Sequence, residues 1–137
     1  MLGLSVSKLF QPTIVLITIA ANIGDTALLE TEACFTDSVV GLIPRDELVT
    51  PRFLEPVLRL KKDYLNKVAT TGAQKNINNE ILAALTVLLP SIAEQSRIAD
   101  CLAALDARIA AEADKLAALK THKKGLMQQL FPSAVGG

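Results

Sequence analysis

The sequence predicts an α+β protein: a small mixed α/β globular head followed by one long C-terminal coiled-coil helix. Three observations carry that reading. Up to about residue 90, short apolar runs alternate with turn residues. From Ile98 to Leu130 there is no proline and only one glycine, Gly125. Along that stretch apolar residues recur at alternating steps of four and three, the period of a helix seam and not of a strand. At 137 residues the chain suffices for one modest domain with a small core.

The head is read in order. "TIVLITIA", from Thr13, is rich in β-branched residues and suits a buried strand. The run is too short to span a bilayer, and it reads as a strand rather than a signal peptide. "NIGD" is a turn in which Gly24 is free to take positive φ. "TALLE" and "DSVVGLIP" read as further strands, the second ended by Pro44. "TPRFLEPVLRLKKDYLNKVA" has a helical period through Phe53, Leu54, Val57, Leu58, Leu60 and Leu65. Thr50 and Pro51 make its cap and first turn, and Pro56 sits early enough to be tolerated. "TTGAQKNINNE" is a polar loop, and "ILAALTVLLP" fits either a short helix or a strand.

The long helix begins at a capping box. Ser91 and Glu94 are spaced so that each side chain meets the other's free backbone N–H. Pro132, after Phe131, stops the helix near Leu130. About 39 residues at 1.5 Å each span roughly 58 Å. Ile98, Leu102, Leu105, Ile109, Leu116, Leu119, Leu126 and Leu130 occupy a and d positions of a heptad, interrupted by Glu112 and Lys123. A head of this size is too narrow to cover such a seam, and the chain contains no second helix of similar length. The expected partner is the same helix from a second copy, running antiparallel. A parallel pair sets Glu112 against Glu112 and Lys123 against Lys123 in the core. An antiparallel pair centred near Asp114 avoids both clashes and closes as a twofold dimer.

Ala103, Ala104, Ala110, Ala111, Ala117 and Ala118 form a stripe at b and c of three heptads. A smooth stripe lets another helix approach closely, and we expect Ala103, Ala110 and Ala117 to meet a partner. Alanine is equally the best helix filler. Asp100, Asp106, Glu112 and Asp114 precede Lys115, Lys120, Lys123 and Lys124, an order that suits the helix dipole.

Composition excludes more than it assigns. Lysine plus arginine equal aspartate plus glutamate at 14 each, so any nucleic-acid contact must be local. Cys34 and Cys101 match no metal spacing and read as buried or idle thiols in a reducing cytosol. The only histidine, His122, has no cysteine or carboxylate constellation near it in sequence. No phosphate loop, nucleophile elbow or metal motif is present. Neither catalytic nor metal-ligating residues are expected.

The stretch "LPSIAEQSRIADCLAALDARI…KLAALKTHKKGLMQQLF" resembles the end of a target-recognition domain and the spacer helix after it in the specificity subunits of type I restriction–modification systems. The matching residues are Pro90, Glu94, Gln95 and Ile98, then Lys123, Lys124, Gly125, Leu126, Met127, Gln128, Leu130 and Phe131. "TIVLITIAANIGDTALLE", "CFTDSVVGLIPRDELVTPRFLEPVL" and "TTGAQKNINNEIL" resemble the later half of such a domain.

The resemblance implies a partial recognition domain over residues 1–90, a spacer helix over 91–131 and a flexible tail over 132–137. It implies a non-catalytic DNA-recognition and scaffold role, directing methylation (M) and restriction (R) subunits to a bipartite target in the cytoplasm. It places no cofactor on this chain: S-adenosylmethionine, Mg and ATP would belong to the partner subunits. A full family member has two recognition domains and two long helices that pair antiparallel, so this chain corresponds to a half-subunit or a fragment. For DNA contact the candidate is "TTGAQKN". Thr70, Thr71 and Lys75 suit phosphates, and Gln74 and Asn76 have the amide geometry to read adenine. The same composition suits an ordinary polar loop. The alternative function is structural: a dimerising or anti-specificity fragment that binds partner subunits without reading DNA.

Overall fold

A computed structural model describes residues 8–70 and 77–131. Five short strands come first: β1 (Lys8–Phe10), β2 (Val15–Thr18), β3 (Thr26–Leu28), β4 (Ala33–Phe35) and β5 (Val39–Leu42). Four helices follow: α1 (Pro51–Arg59), α2 (Lys62–Thr70), α3 (Asn79–Ala83) and α4 (Ile92–Leu130). The mixed α+β head and the long terminal helix are those the sequence predicts. By packing, the chain divides into one unit ending at Ala99 and another beginning at Asp100.

In the head, β2 is the centre of an antiparallel sheet ordered β3-β2-β5. It is buried on both faces, which is why its sequence is apolar without alternation. Ile17 packs with Ile23, Leu65, Ala69 and Ile77 on one side. Ile14 and Leu16 pack with Leu29, Phe10 and Phe35 on the other. The strands β1 and β4 form a separate antiparallel pair that carries Phe10 and Phe35 to within 6.0 Å, ring centre to ring centre. These two strands have no counterpart in the sequence reading. Each is three residues long, too short to show a period.

Gly41 in β5 lies against the Phe10 ring and the Ile14 side chain. A Cβ there would come within 2.6 Å of the Phe10 ring. Gly24 takes φ +83° in the β2–β3 turn, as expected for "NIGD". Thr18 Oγ1 accepts the Asp25 N–H at 3.1 Å and closes the same turn.

The region read as one helix from Thr50 to Ala69 is two. After Arg59 the chain tightens: the Leu60 N–H donates to Pro56 O, and the Lys61 N–H donates to Leu58 O at 2.9 Å. Then α2 starts at Lys62. Neither glycine nor proline marks the bend, so periodicity alone runs through it, and Leu60 is left exposed. Thr50 is the N-cap residue, with extended backbone and Pro51 following, and Pro56 is held inside α1. The expected capping bond is not made. Thr50 Oγ1 is buried without a hydrogen-bond partner among the described residues. The ambiguous run after the polar loop resolves into the short α3, capped by Asn78 Oδ1 on the Ile81 N–H, and an extended segment to Pro90.

Two polar ties hold the helices on the sheet. Glu55 of α1 accepts from Thr26 Oγ1 at 2.7 Å and pairs with Arg59 at 2.6 Å. Lys62 of α2 pairs with Asp25, and Asn66 Nδ2 donates to Ile23 O at 2.9 Å. Both ties fix the β2–β3 hairpin that carries the core.

Candidate functional site

α4 runs without interruption for 39 residues. At its start one of the two bonds of the expected capping box is present: Ser91 Oγ accepts the Glu94 N–H at 3.3 Å, while the Glu94 carboxylate does not return a bond to the Ser91 N–H. The next turn is fastened by Gln95, which is fully buried. Its Oε1 accepts the Thr50 N–H at 2.9 Å, and its Nε2 donates to the carbonyls of Leu48 and Pro90, each at 2.9 Å. All three groups are backbone, so one side chain ties the head to α4's first turns regardless of the residues that bear them. The sequence reading named Gln95 as part of a motif but assigned it no task. A glutamine four residues after an N-cap carries no signal of burial on its own.

Ala99 is the last buried residue of α4. Ile98, Leu102, Leu105, Ile109, Leu116, Leu119, Leu126 and Leu130 are all exposed, from 37% at Ile98 to 70% at Leu130. Heptad spacing places them in one stripe. A row of eight large aliphatic side chains in water is a larger exposed apolar patch than scattered surface residues make. Each costs about 1.5–3 kcal/mol when fully exposed rather than buried. Glu112, one of the two interruptions, lies 4.0 Å from Lys115 of the same helix. Ala103, Ala110 and Ala117 are exposed on α4 as well.

Of the residues expected to touch DNA, Thr71, Gln74, Lys75 and Asn76 lie outside the described residues, and Thr70 is the last residue of α2. The ends of that segment are firmly placed. Ala69 and Ile77 are buried in the same core cluster, and the Ile77 N–H donates to Ile19 O at 3.1 Å. The residues flanking the segment are thus held beside the end of β2. The tail expected over 132–137 also lies outside the described residues.

Cys34 and Cys101, expected to be buried or idle, are both exposed. No group of three or more His, Cys, Asp or Glu among the described residues is placed to hold a metal. No helix among them is long and apolar enough to cross a membrane. The head carries one further feature with no sequence forecast. An apolar groove of about 370 Å³ is lined by Ile43, Leu48, Leu54, Leu85, Val87 and Leu89, among others.

Residues 4–121 match the family described as the type I restriction modification DNA specificity domain. The chain is 25% identical over 122 residues to the type I restriction enzyme MjaVIII specificity subunit of Methanocaldococcus jannaschii, covering 89% of this chain and 28% of that protein. A chain from a structural study of complex assembly and conformational transition in a type I R-M system superposes with a TM-score of 0.73 at 26% identity, over 89% of this chain and 30% of that one. The HsdS subunit from Thermoanaerobacter tengcongensis shares the fold, with a TM-score of 0.69 at 24% identity, over 93% and 32%. The chain thus spans about a third or less of the length of these proteins.

Proposed function

The chain belongs to the type I restriction–modification DNA specificity family, and we propose that it is a non-catalytic half-subunit that becomes a two-headed DNA reader by pairing α4 with α4 of a second copy. The observation that carries this is the exposed seam, eight aliphatic side chains on a helix with no companion of its length among the described residues.

The antiparallel direction follows from register. Centred near Asp114, Ile98 faces Leu130, Leu102 faces Leu126 and Ile109 faces Leu119, each an a position against a d position. Glu112 then faces Leu116 and Lys123 faces Leu105, so no like charges meet in the seam. Asp106 comes alongside Lys120 of the second copy, and the acidic first half of each helix lies against the basic second half of the other.

In this reading each head supplies one half of a bipartite DNA target, and the target is an interrupted palindrome because the same residues read both halves. Contact falls to the segment between Ala69 and Ile77, with Thr70, Thr71 and Lys75 on phosphates and Gln74 and Asn76 on bases. The alanine stripe of Ala103, Ala110 and Ala117 receives a helix of the M subunit. Methylation and cleavage, with S-adenosylmethionine, Mg and ATP, reside in the M and R subunits, and the assembly works in the cytoplasm.

The test combines three measurements on the full chain. Sedimentation is expected to give a dimer. A Cys34→Ser variant is expected to resist oxidative cross-linking through Cys101, since the two copies of Cys101 lie roughly 40 Å apart along an antiparallel pair at 1.5 Å per residue. DNA binding is expected to weaken steeply with salt, and Lys75→Ala is expected to lower that slope by about one unit. A monomer, or rapid cross-linking within the dimer, sinks the antiparallel half-subunit. A dimer that binds M subunit but shows no salt-dependent DNA binding is an anti-specificity fragment instead.

A further inference from the structure

The seam does not begin at Ile98. Stepping back three residues along the same heptad gives Gln95, the next a position. Gln95 is fully buried under its own head, hydrogen-bonded to Leu48 and Thr50. The head therefore occupies the seam at Gln95. In the antiparallel register, Leu130 faces Ile98, and the position facing Gln95 would be 133, beyond Pro132. The helix ends at Leu130, so each helix stops one seam position short of the place where the other copy's head takes over.

What stands at that junction is apolar on both sides. At the end of α4, Met127, Leu130 and Phe131 are 53%, 70% and 76% exposed. The Phe131 N–H still donates to Met127 O at 2.9 Å, which keeps the Phe131 backbone at the helix end. Phe131 lies off the a/d seam, so pairing the two helices leaves it in water unless something else receives it. On the head, the groove is rimmed by Ile43, Leu48 and Leu89, all of them exposed. The bond from Gln95 fixes Leu48 at the level of Gln95. Phe131 of a second copy falls opposite Arg97, two residues or about 3 Å along the axis from that level.

We propose that the end of α4 from a second copy, through Met127, Leu130 and Phe131, seats against this head in the apolar groove rimmed by Ile43, Leu48 and Leu89. The inference rests on the antiparallel pairing above and adds to it: the heads act as end-stops that set the register of the two helices. Without them, a seam of repeated leucines slides by one heptad at little cost. With them, the separation of the two heads is fixed, and so is the spacing between the halves of any target they read.

The experiment places a photo-reactive benzoylphenylalanine at position 131 of the full chain and maps the cross-linked peptides by mass spectrometry. The expected product is a covalent dimer joined to the segments around Ile43–Leu48 or Leu85–Leu89. A companion variant, Phe131→Glu, is expected to keep the helical circular dichroism of the parent while raising the dimer dissociation constant about tenfold, the scale of an interface anchor. A dimer cross-linked only within α4, or a Phe131→Glu dimer of unchanged strength, overturns the end-stop and leaves the antiparallel pair standing. A cross-linked monomer means that the groove is filled by the chain's own helix end, and this too overturns the proposal. A parent chain that sediments as a monomer removes both.

Discussion

Gln95 and Ile98 lie three residues apart on one stripe of one helix, and they are opposite in kind. Gln95 is polar and fully buried, whereas Ile98 is aliphatic and 37% exposed. Chemistry alone would have them exchanged. The difference teaches which partner each stretch of α4 was fitted to. At Gln95 and Ala99 the helix is fitted to its own head, whose loose backbone groups at Leu48, Thr50 and Pro90 are bonded by Gln95. From Ile98 onward its seam positions are aliphatic and exposed, and no helix of similar length among the described residues covers them, which is the pattern the proposed pairing with a second copy answers.

The comparison breaks most sharply at the seam. Ile109→Glu with Leu116→Glu puts four charges into the middle of a paired helix. Dimer dissociation is expected to rise more than about a thousandfold, from lost burial and unpaired buried charge together. Because an isolated helix draws most of its stability from packing, helical circular dichroism is expected to fall with it. The head is expected to be unaffected, which proteolysis of each part checks directly.

The alanine stripe asks whether the far half of α4 has a partner besides the proposed second copy. Replacing Ala103, Ala110 and Ala117 with glutamate leaves the a and d positions intact. The dimer is expected to persist in sedimentation, while co-purification with the cognate M subunit is expected to weaken about a hundredfold, the loss of a close helix approach at three turns. Undiminished co-purification would mean that the alanines serve helix propensity alone.

The near half of the helix is tested at Gln95. Gln95→Leu keeps the volume but strands the Thr50 N–H and the carbonyls of Leu48 and Pro90, all of them at the junction. A loss of about 2–3 kcal/mol in head stability is expected, since unpaired buried backbone groups lose their solvation without replacement. Denaturant unfolding measures it. The dimer seam from Ile98 onward is untouched by this change, so helix pairing is expected to survive at temperatures where the head is still folded.

These contrasts mark what was legible in the sequence. The long helix, its cap at Ser91, its end near Leu130 and its seam were all readable, because periodicity and punctuation are local signals. The central strand and the Gly24 turn were readable for the same reason. The bend at Leu60 was not: no residue there lacks an N–H or needs a special φ, and tertiary packing of α2 on the β2–β3 turn decides it through Lys62 and Asn66. β1 and β4 were too short for any period to appear. Gln95 stood in plain view within a motif, yet its burial depends on backbone groups some 45 residues away, and no local pattern encodes those. The apolar groove was hidden because "ILAALTVLLP" fits either a short helix or a strand, and neither reading says that Leu88 and Leu89 are left exposed.

The smallest effect compares two caps. Ser91 and Thr50 each precede a helix, and both carry a hydroxyl where a cap is expected. Ser91 Oγ accepts the Glu94 N–H at 3.3 Å. Thr50 Oγ1 accepts nothing and donates to nothing among the described residues, although it is buried. Its backbone N–H is already committed to Gln95, and Pro51 removes one of the orphan donors a cap would serve. Ser91→Ala is therefore expected to cost about 1 kcal/mol, the ordinary worth of an N-cap. Thr50→Val, which swaps the idle hydroxyl for a methyl of similar shape, is expected to be neutral or stabilising by up to about 1 kcal/mol, because a buried polar atom without a partner is removed. Urea unfolding of the two single variants decides the matter. If Thr50→Val destabilises as much as Ser91→Ala, then Thr50 Oγ1 makes a bond in solution, and α1 is capped by its side chain after all.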